Sequence, residues 1–282
     1  MADFDFGGGA MAQAEVMLDP SLPYEQLARD LTALGIATPA EDLLGFSVDD
    51  DVSSARSALA GPQFDYAPVF SDGRLVGRVA REMLEGGGGS TVGDVFEPLT
   101  SRFLVSADSP IAKVMRWLQT ERCLLLLDGQ DFVGLVSPAD LNRHPVRVYF
   151  YMLLADFEIR LAALIRRLHP DRTSLSGFLS EGRREALERR YRDAIRRDVD
   201  VDLVGLFDLK DLCRVAGRSR KVRDALGFPS ATKWDENIGS LINFRNLVMH
   251  PTRNLLGDVA DLDRLVEMDR RLRSLLARLP FG

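Results

Sequence analysis

The sequence is poor in the residues that bind metals or form disulfides. It has two cysteines, Cys123 and Cys213, and three histidines in 282 residues. A structural zinc site needs about four clustered Cys or His ligands. The scattered residues here do not supply them, so no metal site is expected. The two cysteines lie far apart in apolar stretches, and we expect buried free thiols in a cytoplasmic protein.

Long hydrophobic runs are also missing. No apolar stretch approaches the roughly 18 residues of a membrane-spanning helix, so no membrane association is expected. The N-terminus is acidic and rich in glycine, and it lacks the basic start of a signal peptide. We interpret residues 1–20 as a flexible leader. A hydrophobic content of 46% and a charged content of 28% are typical of a globular protein, and the length allows two domains.

The first half has little positive charge. Residues 1–140 contain 9 Lys and Arg against 22 Asp and Glu, whereas residues 141–282 contain 27 against 20. A polyanion partner would therefore bind the second half, and nucleic-acid binding by the first half is not expected. DNA is not expected as a partner of either half. The alternative is that the Arg-rich segments are solvated helices held by ion pairs between residues four apart.

A repeat of about 55–60 residues is visible in the first half. Two strand-turn-strand units occupy residues 64–79 and 124–136, each preceded by a helix, at 49–59 and 111–118, and followed by a helix start, at 80 and 137. A further helix is predicted from Ser21 to Gly35, ending at the glycine. The four glycines from Gly86 to Gly89 are a linker, because a phosphate-binding loop would be tied to a strand and a helix start.

The pattern changes after Pro145. Apolar spacing predicts helices at residues 149–168, 180–198, 203–215, 232–249 and 258–279, with no alternating strand pattern between them. The predicted fold class is therefore α+β, with an α/β domain over residues 21–144 and an all-α helical bundle over residues 145–282.

One segment of the second repeat has the chemistry of a nucleotide site. In the run from Gly134 to Asp140, Ser137 stands at a helix start, where a hydroxyl and free N–H groups suit a phosphate, and Asp140 could accept hydrogen bonds from a ribose. The repeat, over about residues 44–144, resembles a tandem pair of CBS domains. This resemblance implies an adenine nucleotide as regulatory ligand, with Gly134, Ser137 and Asp140 binding it. The alternative is an ordinary helix cap.

The first repeat departs from this pattern. Ala80 stands where the hydroxyl should be, and Met83 stands where the acid should be. Neither side chain can bind phosphate or ribose in that way. At most one nucleotide per chain is therefore expected, and a purely structural CBS pair is the alternative.

The second half carries a candidate catalytic segment, Arg245-Asn246-x-x-x-His250, near the end of a predicted helix. The segment and its helical setting resemble HEPN domains, which often act as metal-independent endoribonucleases, and the resemblance implies a setting in stress or antiviral defence. The resemblance implies RNA as substrate, no cofactor for catalysis, and Glu158 as the polar residue beside the motif. The alternative for His250 is a helix C-cap without chemistry.

The chemistry of RNA cleavage fits these residue types. Histidine can exchange a proton near neutral pH, and the guanidinium of Arg245 can neutralise a phosphate. Cleavage needs both a base and an acid, and one His250 cannot take both roles in one step. We therefore expect a homodimer. Two other hypotheses are a non-catalytic, nucleotide-sensing scaffold for dimerisation and partner binding, and a helical domain that is the target of a modifying enzyme.

Overall fold

The computed structural model describes residues 28, 31–61, 64–86, 88–171, 175, 177–197, 202–258 and 260–280. The predicted leader and most of the helix predicted from Ser21 to Gly35 lie outside these residues. The predicted end of that helix is wrong. Thr32 forms a β-bridge with Pro110, and a 3₁₀ turn spans Ala33–Ile36. The N–H groups of Ala33 and Leu34 donate to carbonyls 73–76 residues away, which fixes the segment in a tertiary contact.

Eight strands form two four-stranded sheets. They are β1 (Thr38–Pro39), β2 (Phe46–Ser47), β3 (Tyr66–Ser71), β4 (Arg74–Ala80), β5 (Glu97–Pro98), β6 (Leu104–Ser106), β7 (Leu124–Asp128) and β8 (Asp131–Val136). The first sheet has the order β2-β3-β4-β5, and the second has the order β1-β8-β7-β6. Both contain a central antiparallel hairpin with a parallel strand beside it.

The helices are α1 (Val52–Leu59), α2 (Arg81–Glu85), α3 (Ile111–Leu118), α4 (His144–Leu168), α5 (Glu181–Arg196), α6 (Leu209–Arg218), α7 (Arg220–Ala225), α8 (Ala231–Val248) and α9 (Asp261–Leu276). Those from α4 onward form the second half, in which the described residues contain no strand. The predicted α+β class, with a sheet region followed by a helical region, is confirmed.

The predicted repeat is confirmed in detail. Each unit runs strand, helix, hairpin and helical turn: β2-α1-β3-β4-α2 in the first, and β6-α3-β7-β8 with a 3₁₀ turn at Pro138–Asn142 in the second. The hairpin register shifts between Val69 and Phe70 in one unit and between Leu126 and Leu127 in the other. These positions are 57 residues apart, so the two units carry the same irregularity at the same place.

The two units exchange their flanking strands, which the sequence did not predict. The strand β1, which precedes the first unit, pairs with β8 of the second. The strand β5, which precedes the second unit, pairs with β4 of the first. Gly134 and Gly77 lie at the points of contact. A Cβ at Gly134 would be 2.4 Å from the Thr38 carbonyl oxygen, and one at Gly77 would be 2.2 Å from that of Glu97.

Two predicted helix starts need correction, and one short helix was not predicted. The helix α4 begins at His144 rather than Tyr149, because Pro145 falls in its first turn, where the missing N–H has no helical partner. His144, the last residue before the predicted domain boundary, is therefore helical. The helix α6 begins at Leu209, where Asp208 caps it, and α7, which has six residues, was not predicted.

The core falls into two clusters. One belongs to the first unit alone, with buried residues from Phe46 to Val92. The other is continuous from the second unit into the helices, and it includes Leu141 and Val146 on either side of the predicted domain boundary. That boundary, between residues 144 and 145, stays a prediction. The 25-residue helix α4 is central to the second cluster, and its Phe150 ring meets that of Phe244 on α8 edge to face at 4.8 Å.

No helix in the described ranges has a stretch long and apolar enough to cross a lipid bilayer. Even α4 carries charged residues along its length.

Candidate functional site

A cleft of about 1010 Å³ separates the two repeat units. The start of α2 contributes Ala80, and the equivalent turn of the second unit contributes Ser137 and Asp140. Tyr66 and Arg122 line it from the beginnings of β3 and β7. The repeat therefore places the two helix starts, one with a hydroxyl and an acid and one without, in a single cleft.

Asp140 is buried and makes several polar contacts. Its Oδ2 accepts hydrogen bonds from the Ser137 backbone N–H at 2.8 Å and from the Ser137 hydroxyl at 2.9 Å. Its Oδ1 accepts one from the Thr38 hydroxyl at 3.2 Å and lies 3.0 Å from Nε of Arg143. Ser137 and Asp140 thus close a capping box on the 3₁₀ turn. The carboxylate and hydroxyl predicted to bind a ligand are held together at the wall of the cleft.

Thr38 and Arg143 were missed by the sequence interpretation. The guanidinium of Arg143 donates to the Ala37 carbonyl at 3.0 Å and to the Thr38 hydroxyl at 2.8 Å. Both residues line the cleft. Thr38 reaches Asp140 through the exchange of β1, a contact between residues 102 apart that no local pattern signals. For Arg143, its position three residues after Asp140 was an available signal for an ion pair.

The first unit has no equivalent of this pair. The backbone N–H of Ala80 faces the sulfur of Met83 at 3.4 Å, where the second unit has a carboxylate. Arg81 donates to the carbonyls of Gly61 and Phe64, both at 2.6 Å. Met83 and Ala80 bring no anionic group or hydroxyl to the cleft, as the sequence indicates.

Gly134, predicted with Ser137 and Asp140 as a ligand residue, lies in β8 opposite Pro39. It is buried, and the backbone of the exchanged strand occupies the space that a side chain would need. Its observed contact is thus with β1, while Leu135, the next residue, lines the cleft.

A second pocket, of about 420 Å³, lies among the helices. Arg245 on α8 and Glu158 on α4 both line it, together with Phe207 and Met249. Phe244, beside Arg245, is buried against α4 and so fixes the rotation of α8. The structure therefore brings together two of the four residues predicted for catalysis.

Glu158 and Arg245 bring opposite charges to the lining of this pocket. Burial raises the pKa of Glu158, and the positive charge of Arg245 opposes that rise. The Nε atom of Arg245 is buried and has no hydrogen-bond partner among the described residues. The pocket thus presents a guanidinium with an unused donor.

Asn246 and His250 are exposed, and neither lines this pocket. The prediction that the helix ends near Met249 is confirmed, since α8 ends at Val248 with Met249 as its C-cap. His250 follows in a turn, where its carbonyl accepts from the Arg253 N–H at 3.0 Å. Within one chain, Arg245 and Glu158 therefore line the pocket, whereas Asn246 and His250 lie at the surface outside it.

Two side chains at the start of α4 hold the turn that carries His250, and the sequence interpretation missed both. Asn142 donates to the Leu256 carbonyl at 3.1 Å and accepts from the Leu256 N–H at 2.9 Å. Buried Arg147 donates to the carbonyls of Leu247 at 2.6 Å and Val248 at 2.9 Å, and to that of Arg253. Neither contact has a local sequence signal, because the partners are 100 or more residues apart.

The remaining candidates lie away from these pockets. His169 is the C-cap of α4, is buried, and has its Nε2 atom 2.7 Å from the Ser219 hydroxyl. Both cysteines are free and buried, as predicted, and burial raises the pKa of each, that of Cys123 to about 12. The described residues contain no group of three or more His, Cys, Asp or Glu side chains placed to hold a metal ion.

No protein-family model and no curated protein matches the chain. Solved structures of CBS domains are similar to its N-terminal part. One is the CBS domain of a bacterial CNNM/CorC family Mg²⁺ transporter in complex with ATP, 14% identical, covering 45% of this chain and 93% of its own, with a TM-score of 0.38. CBSX2 in complex with AMP is 22% identical and covers 43% of this chain and 97% of its own, with a TM-score of 0.36. The CBS domains of a transcriptional regulator from Streptococcus pneumoniae are 20% identical and cover 39% and 95%, with a TM-score of 0.35.

Proposed function

We propose that the chain binds an adenine nucleotide in the cleft between its two repeat units and that this ligand regulates an RNA-cleaving activity of the helical half. The observation that carries the first part is the pairing of Ser137 with Asp140 at the wall of a cleft of about 1010 Å³. A carboxylate can accept hydrogen bonds from ribose hydroxyls, and the arginines of the lining, Arg81, Arg122 and Arg143, can pair with phosphates. Only one unit has the pair, so one nucleotide binds per chain.

Calorimetry with ATP and with AMP tests this part. We expect saturable binding with one nucleotide per chain. Two equivalent sites per chain would contradict the assignment to the second unit. The absence of binding for both nucleotides would remove the sensor and leave a structural pair of repeats.

The helical half is proposed to be a metal-independent endoribonuclease of the HEPN type. In this proposal Arg245 neutralises the phosphate, His250 transfers protons, Asn246 orients the substrate, and Glu158 holds Arg245. The unused donor of Arg245 in a pocket beside Glu158 supports this assignment. The Nε atom of Arg245 is buried, and a desolvated N–H without a partner stabilises developing negative charge more strongly than one exposed to water.

A homodimer completes this site. Each chain offers one His250, at its surface, and the reaction needs two proton-transfer groups. The surface beside the Arg245 pocket is apolar, with exposed Tyr151, Ile159 and Met249 in its lining and Val148 one turn before on α4. A second copy bound there would cover these side chains and bring another His250 close.

Regulation of one site by the other is supported by the connection between them. The 3₁₀ turn that holds Asp140 ends at Asn142, and Asn142 holds the backbone of Leu256 in the segment after His250. A ligand that moves this turn would therefore move the catalytic segment. Such a ligand acts because it binds more tightly to one position of the 3₁₀ turn than to the other.

An RNA-cleavage assay in EDTA, with and without ATP and AMP, tests the enzyme. Wild type should cut single-stranded or transfer RNA at a rate that changes when the nucleotide is added. Arg245→Ala and His250→Ala should each lower this rate at least about 100-fold, because that is the order of effect when an acid, a base or a charge-stabilising group is lost. Equal cleavage by all three proteins would overturn the catalytic assignment. Circular dichroism would confirm that the variants are folded.

A non-catalytic role is the second candidate, and the exposure of His250 and Asn246 outside the pocket favours it. The chain would then be a nucleotide-sensing scaffold whose helical half mediates dimerisation and partner binding. Nucleotide binding without any RNA cleavage would support this candidate.

A further inference from the structure

A groove separate from the Arg245 pocket crosses the helical half between α6 and α8. It has a volume of about 440 Å³, and α6 lines one side with Lys210, Arg214 and Arg218. The other side is formed by α8, from Ala231 to Ile242. We call this the α6–α8 groove. None of the predicted catalytic or nucleotide-binding residues lies in it.

The cations of the groove follow a regular pattern. Lys210, Arg214 and Arg218 are four residues apart, so they share one face of α6 at steps of about 6 Å along the axis. Like charges at this spacing destabilise a helix. An arrangement that costs stability without a structural partner is typical of a binding surface.

These cations differ from several arginines of α5 and α9. On α5 and α9, arginines pair with carboxylates three or four residues away, as Arg189 does with Glu185 and Arg270 does with Glu267. In the described part of the chain, Lys210 and Arg214 have neither a hydrogen bond nor an ion pair, and Arg218 donates to the Phe178 carbonyl at 2.9 Å. Among the lining residues, Asp235 is the single carboxylate.

The groove leads to the Arg245 pocket. Ile242 lines the groove, and Arg245, three residues later on the same helix, lines the pocket. On the facing helix, Cys213 lines the groove and Leu212 lines the pocket. Neighbouring residues of both helices therefore line the two cavities in turn, and Lys210, at one end of the row of cations, lies two residues before Leu212 of the pocket.

We propose that the α6–α8 groove binds the phosphate backbone of a single-stranded RNA and directs it to Arg245. The inference rests on the proposed ribonuclease function for the identity of the ligand. A nucleic-acid strand carries a negative charge on every nucleotide, and a regular row of uncompensated cations matches that repeat. An acidic peptide offers carboxylates at intervals set by its sequence, which a regular row of cations matches less well.

The test measures binding rather than cleavage, so that it is independent of the catalytic assignment. The full chain carrying His250→Ala is titrated into a fluorescein-labelled single-stranded RNA, and fluorescence anisotropy is read at several salt concentrations. The groove variant adds Lys210→Gln and Arg214→Gln, which leaves the bond from Arg218 to Phe178 in place. The matched control adds Arg189→Gln and Arg192→Gln, two exposed arginines of α5 whose loss changes the net charge equally.

We expect the groove variant to bind RNA at least tenfold more weakly than the control. The slope of log K against log salt should also become less steep by about 1.4, at about 0.7 per lost phosphate contact on a single strand. An equal loss in both variants would contradict the groove, since net charge alone would explain it. Polyglutamate that competes with RNA at equal affinity would instead assign the groove to acidic peptides. If RNA binds in the groove but wild type cuts no RNA, the binding inference stands and the ribonuclease proposal fails.

Discussion

Asn142 and Leu256 hold each other by two reciprocal hydrogen bonds, one from the side-chain amide to the backbone carbonyl and one from the backbone N–H to the side-chain oxygen. Asn142 ends the 3₁₀ turn that begins beside Ser137. Leu256 is buried and lies six residues after His250. The pair thus joins the wall of the cleft between the repeat units to the segment that follows the candidate catalytic histidine.

Removing this pair should loosen the segment after α8. The change Asn142→Ala leaves the N–H and the carbonyl of Leu256 without partners, at a cost of about 1–3 kcal/mol in the free energy of unfolding. Hydrogen exchange of the amides of residues 249–258 should accelerate at least tenfold. Asn243→Ala, an exposed asparagine on α8, is the control, and its effect should stay within about 0.5 kcal/mol. Unchanged exchange in Asn142→Ala would show that other contacts hold the segment.

The strand exchange predicts that two glycines are intolerant of a side chain for the same reason. Gly134→Ala and Gly77→Ala each place a Cβ against the backbone of the exchanged strand, at 2.4 Å and 2.2 Å from its carbonyl oxygens. Each should lower the free energy of unfolding by about 1–3 kcal/mol, as overpacking does. Denaturant unfolding measures this.

A glycine in open space supplies the control. A Cβ added to Gly182 on α5 would meet nothing within 4 Å beyond the backbone of its own helix, so Gly182→Ala should be neutral or stabilise by about 0.4–1 kcal/mol. If Gly77→Ala and Gly134→Ala behaved like Gly182→Ala, the close approach of the strands would be wrong.

The sequence predicts the local elements well and the distant contacts poorly. The hairpins at β3-β4 and β7-β8 are marked by apolar runs around polar turns, and the helices α5, α8 and α9 by their apolar spacing. The two-residue strands β1 and β5 have no such pattern, because their pairing depends on the position of the other unit. The beginning of α4 was misplaced because Pro145 is compatible both with a helix start and with a connection.

The same difference between local and distant contacts applies to the candidate sites. Ser137 and Asp140 are three residues apart, and their contact follows from the local turn. Arg245 and Glu158 line the same pocket through the packing of two helices, which the motif alone does not determine. The position of His250 depends on the turn after α8, and that turn is held by Arg147 and Asn142 from a segment about 100 residues earlier.

The asymmetry of the two units predicts unequal effects of equivalent substitutions. Asp140→Asn removes the negative charge of the carboxylate that accepts hydrogen bonds from Ser137 and pairs with Arg143. This change should lower the free energy of unfolding by about 1–2 kcal/mol. If a nucleotide binds there, its affinity should fall at least tenfold by calorimetry. Met83→Leu, at the equivalent place in the first unit, should change neither quantity. Equal effects of the two substitutions on nucleotide affinity would place the ligand in both halves of the cleft.

The ionisation of Glu158 gives a pH-dependent test of its burial beside Arg245. Because burial raises the pKa of Glu158 above its ordinary 4.5, the folded chain binds a proton that the unfolded chain has released at pH values just above 4.5. The contribution of Glu158 to stability is therefore lost as the pH rises through its folded pKa. Glu158→Gln removes this titration, so its stability relative to wild type should be greater at pH 7 than at pH 4. Denaturant unfolding at the two pH values measures the difference, with Glu185→Gln on the exposed face of α5 as the control. A Glu158→Gln variant less stable than wild type at pH 7 and equal to it at pH 4 would show that the attraction of Arg245 outweighs the cost of burial, and the direction of the pKa shift would be wrong.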